Sequence, residues 1–189
     1  MAKIPFFPIP AVLAGLLVLG GCATPGYNDK DMIVAPHDDE GGGSWSNPDA
    51  RFTAEVWSDA PPPRIGDFLK LKLRASDDAY LSLYAIHTSG RTSRLLDNQF
   101  VRGGRTVPFP GPYSRVDFAL SPPPGDETYL LVATQKPLRW LAPDDIRERG
   151  SLTELNLTGK ELQQRLRAVL DRQNPYSWNV AVLNQPLRP

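Results

Sequence analysis

Residues 69–87 read Leu-Lys-Leu-Lys-Leu-Arg-Ala-Ser-Asp-Asp-Ala-Tyr-Leu-Ser-Leu-Tyr-Ala-Ile-His. Leu69, Leu71 and Leu73 alternate with Lys70, Lys72 and Arg74. An extended backbone therefore turns its leucines to one side and its cations to the other. A solvated sheet face accounts for the cations, and anion binding is the alternative use of them. Ser76-Asp77-Asp78 marks a turn, because short polar side chains bond their own backbone there. In the next segment Leu81, Leu83 and Ala85 fall on one side, and Tyr80, Tyr84 and Ile86 on the other. With both faces apolar, Tyr80–His87 reads as a central strand.

The same period continues outward. Phe52, Ala54 and Val56 alternate with Thr53, Glu55 and Trp57 until Pro61-Pro62-Pro63 breaks the run. Downstream, Ser89-Gly90 turns into a short strand around 92–96, and Gly103-Gly104 punctuates another pair of segments. Val116, Phe118 and Leu120 alternate again, and Pro122-Pro123-Pro124-Gly125 leads into a strand over 128–133. Strands at this spacing, joined by proline and glycine turns, predict a mostly β chain folded as an immunoglobulin-like antiparallel β-sandwich.

The C-terminal part adds one or two α-helices. Pro143-Asp144-Asp145 has the proline and acids of a helix start and predicts a short helix ending at Gly150. Thr158 and Glu161 have capping-box spacing, and behind them Leu162, Leu166, Val169 and Leu170 share one helical face. This helix is expected to pack on the sandwich, with partner binding as its alternative. Pro175 stops it, and Trp178, Val180 and Val182 suggest a last strand.

Lys3 precedes an apolar stretch, Ile4–Leu19, that holds Pro5, Pro8 and Pro10. A charge followed by a short apolar run is the layout of a secretory signal, and the prolines disfavour a spanning helix. Leu19-Gly20-Gly21-Cys22 resembles the bacterial lipobox. That resemblance implies cleavage before Cys22, diacylglycerol on its thiolate and N-acylation of the new terminus. Cys22 is the only cysteine, so no internal disulfide competes for it. Ala23, where an aspartate would favour inner-membrane retention, implies the periplasmic face of the outer membrane. The expected organisation is a signal peptide over 1–21, a flexible tether over 22–50 and the sandwich with its helical segment over 51–189. The acidic, glycine-rich run 38–44 is the core of the tether.

Val56-Trp57, Ile65-Gly66-Asp67, the 69–73 alternation, Ala79-Tyr80-Leu81, Gly90, Leu95-Leu96-Asp97-Asn98, Val107-Pro108, Pro124-Gly125 and Ala133-Thr134 carry a second resemblance. Over 52–138 the chain resembles the domain of unknown function 4384 family. Asp97 departs from the proline frequent there. The resemblance implies a binding or accessory module and supplies no catalytic residue.

The chain has 21 basic and 21 acidic residues, so it has no cationic excess with which to grip nucleic acid. Two histidines, His37 and His87, and a consumed cysteine leave no zinc-type set, and no cofactor is expected. No nucleophile elbow or phosphate loop appears. Asp77-Asp78 and Asp144-Asp145 have structural uses as turn and helix-start residues. Trp45, in polar sequence, and Trp57, on an outer strand face, are the candidate binding aromatics. The expected function is non-enzymatic: a lipid-anchored protein–protein interaction or accessory module of an envelope assembly, with secretion-system association an extension by analogy. Its expected partners are membrane lipid, through acylated Cys22, and an envelope protein. The alternatives are a peptidoglycan hydrolase, with a pocket near Asp77, His87 or Asp97, and a glycan- or small-ligand-binding module with an aromatic-lined groove.

Overall fold

The computed structural model describes residues 45–114, 116–149 and 152–189. Nine strands and one helix follow in order: β1 Ala54–Trp57, β2 Leu71–Ala75, β3 Ala79–Ile86, β4 Thr92–Val101, β5 Val107–Phe109, β6 Gly125–Thr134, β7 Ile146–Arg149, β8 Leu152–Leu155, α1 Gly159–Leu170 and β9 Trp178–Leu187. They form two sheets, β1-β2-β5 and β7-β8-β4-β3-β6-β9. Every strand pairing is antiparallel.

The larger sheet is a middle layer. Leu81 and Leu83 of β3, and Tyr129, Leu131 and Ala133 of β6, bury against the smaller sheet. The intervening Tyr84, Leu130 and Val132 join a second core with α1. This is why β3 is apolar on both faces, and β3 lies between β4 and β6. On β2 the leucines are buried and the cations point outward. There Arg74 pairs with Glu55 at 2.6 Å and Lys72 pairs with Asp59.

Helix α1 closes the second core. Thr158 Oγ1 accepts from Glu161 N at 3.2 Å and Thr158 N donates to Glu161 Oε2 at 2.8 Å, the two halves of a capping box. Leu162, Leu166 and Leu170 are each fully buried. Removing such a side chain from water contributes roughly 1.5–3 kcal/mol, so the leucine stripe is spent inside the molecule.

Three expectations are corrected. Pro143–Asp145 forms one 3-10 turn and the chain then enters β7. Asp145 Oδ2 accepts from Ala142 N at 2.8 Å, which satisfies the turn without a helix. A helix of this length gains too few bonds to offset its nucleation, whereas β7 finds a full antiparallel partner in β8. The 116–120 alternation makes only the isolated bridge Phe68↔Ala119, because it lies against the single loop 64–69 rather than beside a strand. Residues 45–50, assigned to the tether, are docked onto the fold. Asn47 is buried, donating to Pro175 O at 2.5 Å and to Trp178 O at 2.9 Å. One amide and one tryptophan do this, leaving no periodic signal to read. The signal segment, Cys22, His37 and the rest of the tether lie outside the described residues.

Candidate functional site

Trp45 packs against the second core. Trp57 stands on the outer face of the smaller sheet, donating to Asp59 Oδ1 at 2.9 Å, with Arg74 5.9 Å from its ring centroid. The two candidate aromatics are thus on different surfaces. Phe68 is more exposed than either tryptophan, at 55 %. It shares the parity of Lys70 and Lys72, so extending the period-two alternation one step back placed an aromatic on the solvated side.

Phe68 divides two grooves. One, of about 450 Å³, is lined by Pro61, Pro62, Pro63, Leu69 and Leu120, with Arg64 and Asp67 among its polar members. The other, of about 630 Å³, runs between β2 and the prolines Pro108, Pro110 and Pro112, with Lys70, Lys72, Asp59 and Asp117 at its rim. Beneath it Phe109 and Phe118 stack at 5.3 Å, which makes the floor rigid. Pro108 has no N–H to offer, so β5 is blunted as a strand-pairing edge.

His87, just past the end of β3, has close polar company. Opposite it on β6, Glu127 is 5 % exposed and Tyr129 is 1 % exposed. His87 Nε2 lies 3.2 Å from Glu127 Oε1 and 2.9 Å from Ser121 O, and Tyr129 OH donates to Glu127 Oε2 at 2.5 Å. Burial, and the Glu127 carboxylate beside it, push the Tyr129 phenol pKa well up. On the other ring nitrogen, Nδ1 is 2.7 Å from Ser89 Oγ and accepts from Ser89 N at 3.1 Å. Two residues that no sequence motif flags, Glu127 and Tyr129, complete this row.

A serine, a histidine and a carboxylate in line have the parts of a nucleophilic relay. Acyl transfer also needs N–H groups aimed at the developing oxyanion. The backbone N–H groups of Ser89 and Gly90 are committed, the first to His87 Nδ1 and the second to His87 O at 2.7 Å, and Arg91 Nε donates to Ser89 Oγ itself at 3.1 Å. The cavity beside His87, Glu127 and Tyr129 holds about 170 Å³, below the roughly 300–1,000 Å³ of ligand pockets. The separate cavity of about 380 Å³ that reaches Ser89 is lined by none of those three residues. The row is suited to cross-bracing the open end of the sandwich.

The acids do not converge. Asp78 Oδ1 accepts from Gly103 N at 2.8 Å, and a Cβ on Gly103 would lie 2.7 Å from Asp77 Cα, so these acids clamp a close backbone crossing. Asp77 and His87 flank opposite ends of β3, about 30 Å apart at ~3.3 Å per residue. Asp145 holds Arg165 of α1 at 2.7 Å, and that guanidinium lowers the Asp145 pKa below the ordinary carboxylate value. Among the described residues no group of three or more His, Cys, Asp or Glu side chains is placed to hold a metal ion.

The fold and these surfaces define an antiparallel β-sandwich module. Residues 64–137 match the family model described as domain of unknown function (DUF4384), so the chain carries a module of that family. The match begins after Val56-Trp57 and runs from before β2 to just past β6. No curated protein and no solved structure matches the chain.

Proposed function

We propose that this protein is a lipid-anchored, non-enzymatic module that docks an envelope protein in the grooves beside Phe68. The observation that carries the reading is Phe68 itself, an aromatic more than half exposed between two proline-walled depressions. Large apolar side chains in such settings anchor partners, because burying one removes much apolar area from water at little ordering cost. The rigid proline walls keep that cost low. The committed N–H groups around Ser89 and the scattered acids support a non-catalytic role.

The anchor is the lipid on Cys22, and the location is the periplasmic face of the outer membrane. Acyl labelling of wild type, lost in Cys22→Ala together with membrane fractionation, is the expected result. Association with a secretion apparatus extends this reading and is decided by the partner's identity.

The test of the docking surface is photocrosslinking in cells expressing the full chain. A photoreactive residue at 68 is expected to give a discrete adduct, lost on adding Pro110→Asp. The same probe at Phe100, an equally exposed aromatic packed on Tyr80, is expected to give none. Adducts absent at 68, or equal at 68 and 100, would overturn the proposal.

A further inference from the structure

On the face of the larger sheet that carries α1, a pocket of about 460 Å³ opens beside β4, away from Phe68. Its volume lies within the roughly 300–1,000 Å³ of small-ligand sites. Tyr84, Arg94, Asp97, Asn98, Arg139 and Trp140 contribute its polar and aromatic lining.

The backbone beneath this pocket is irregular. Between the pairs Leu81↔Gln99 and Leu83↔Leu96, β4 carries one extra residue over Asp97-Asn98, and a second shift follows before Tyr84↔Arg94. Bulges re-aim side chains and accumulate beside functional sites. Asn98 has a φ of +48°, the one positive value at a non-glycine among the described residues. Strain of this kind persists only where its surroundings fix it. Here the Asn98 amide grips the loop that lines the pocket, donating to Leu138 O at 3.0 Å and accepting from Leu138 N at 2.7 Å.

The groups held there are ordered and of mixed character. Trp140 Nε1 donates to Tyr84 OH at 2.8 Å, and the two rings meet edge to face at 5.8 Å. Asp97 accepts from Asn98 Nδ2 at 2.9 Å through one oxygen and pairs with Arg94 at 3.2 Å through the other. Each carboxylate oxygen keeps capacity for a further donor. Arg139 is exposed and has no ionic partner among the described residues.

We propose that this pocket binds a saccharide bearing a carboxylate. A sugar ring presents hydroxyls for Asp97 and Arg94 and an apolar C–H face for the half-buried Trp140. The unpaired Arg139 supplies the fork that a carboxylate takes up bidentately. The proposal is independent of partner docking at Phe68, which lies in the loop leading into β2 of the smaller sheet.

The test is a ligand-observed saturation-transfer titration of the purified full chain. The probes are N-acetylmuramic acid and N-acetylglucosamine, which differ by one lactyl carboxylate. The acid is expected to bind at least about tenfold more tightly, as one charge-assisted contact implies. Arg139→Ala should bring the two sugars to parity. Asp97→Asn should weaken both, and thermal melts of each variant report that the fold is kept. No saturable signal from either sugar would overturn the proposal. So would a preference that survives Arg139→Ala, or full displacement by inorganic phosphate, which would make this a simple anion site.

Discussion

Replacing Tyr129 by Phe removes one oxygen from the interior and leaves the ring where it is. That oxygen donates at 2.5 Å to Glu127, whose side chain is 6 % exposed. The buried carboxylate then keeps one side-chain neighbour, His87 at 3.2 Å. A hydrogen bond to a charged acceptor contributes roughly 1.5–3 kcal/mol, and the buried acceptor bears its desolvation cost once the donor has gone. We expect Tyr129→Phe to destabilise the fold by about 2 kcal/mol. For a chain of this size that lowers Tm by about 4–8 °C. In urea the midpoint should fall with the slope unchanged, since no additional surface is exposed on unfolding. The partner variant sharpens the test. In Glu127→Gln the phenol still donates, now to a neutral amide oxygen, so Tyr129→Phe made in that background should cost about 1 kcal/mol. The difference, a coupling of roughly 1 kcal/mol, is the part owed to the charge. A Tyr129→Phe variant within about 0.5 kcal/mol of wild type, the ordinary range of surface changes, would refute the bracing role of this row.

Other perturbations probe the second core and its attachments. Leu166→Ala, at a position 0 % exposed, should cost about 2–5 kcal/mol by calorimetry, the range for buried leucines; a cost under about 1 kcal/mol would free the helix for partner binding. Asn47→Ala removes donors to Pro175 O and Trp178 O. It should cost about 1–3 kcal/mol and speed proteolytic cutting near residues 45–50, and unchanged cutting would count against the docked segment. Burial pushes the Tyr84 phenol up to about 12 from 10.0. A phenol kept protonated by the fold contributes stability that is whole below pH 10 and is lost as pH rises through 12. At about 1.4 kcal/mol per pH unit the loss is on the order of a few kcal/mol. Tyr84→Phe should therefore flatten the stability profile between pH 10 and 12, and parallel profiles would exclude Tyr84 as the group responsible.

The sheet core was legible because its signal is a local period. Leu71 and Leu73, Leu81 and Leu83, and the leucine stripe of α1 each follow a spacing that geometry imposes on neighbours in sequence. The sites were less legible because each joins residues distant in sequence. Glu127 meets His87 only through the β3–β6 pairing, and Arg139 lines one pocket with Asp97 where Asn98 holds the 138 loop. Polar interruption also misled. Asp97-Asn98 looks like the end of a strand, yet β4 bulges there and continues to Val101. Phe68 is the exception, readable from parity alone once the alternation through Leu69 is extended.

The boundaries of the DUF4384 match bear on how the sandwich is held together. Residues 64–137 supply β2 to β6, which include the whole irregular stretch at Asp97-Asn98. They omit β1, β9 and α1. Without β9, ten paired residues of β6 would face water along an open edge. Without α1, Tyr84, Leu130 and Val132 would lose the leucines that cover them. The matched segment is therefore part of a larger folding unit, whose closure comes from sequence on both sides of it. Both proposed surfaces depend on that closure in different degrees. The Phe68 grooves are built almost wholly from residues 58–120, apart from Gln185. The pocket beside β4 needs Arg139, Trp140 and Leu141, which lie just beyond the match. Its aromatic wall is further fixed by second-core packing with α1. Variation in the flanking sequence is therefore expected to alter the pocket through residues 138–141 and the first groove through Pro61, Pro62 and Pro63, which precede the match, while leaving the second groove, with only Asp59 and Ala60 outside it, largely standing.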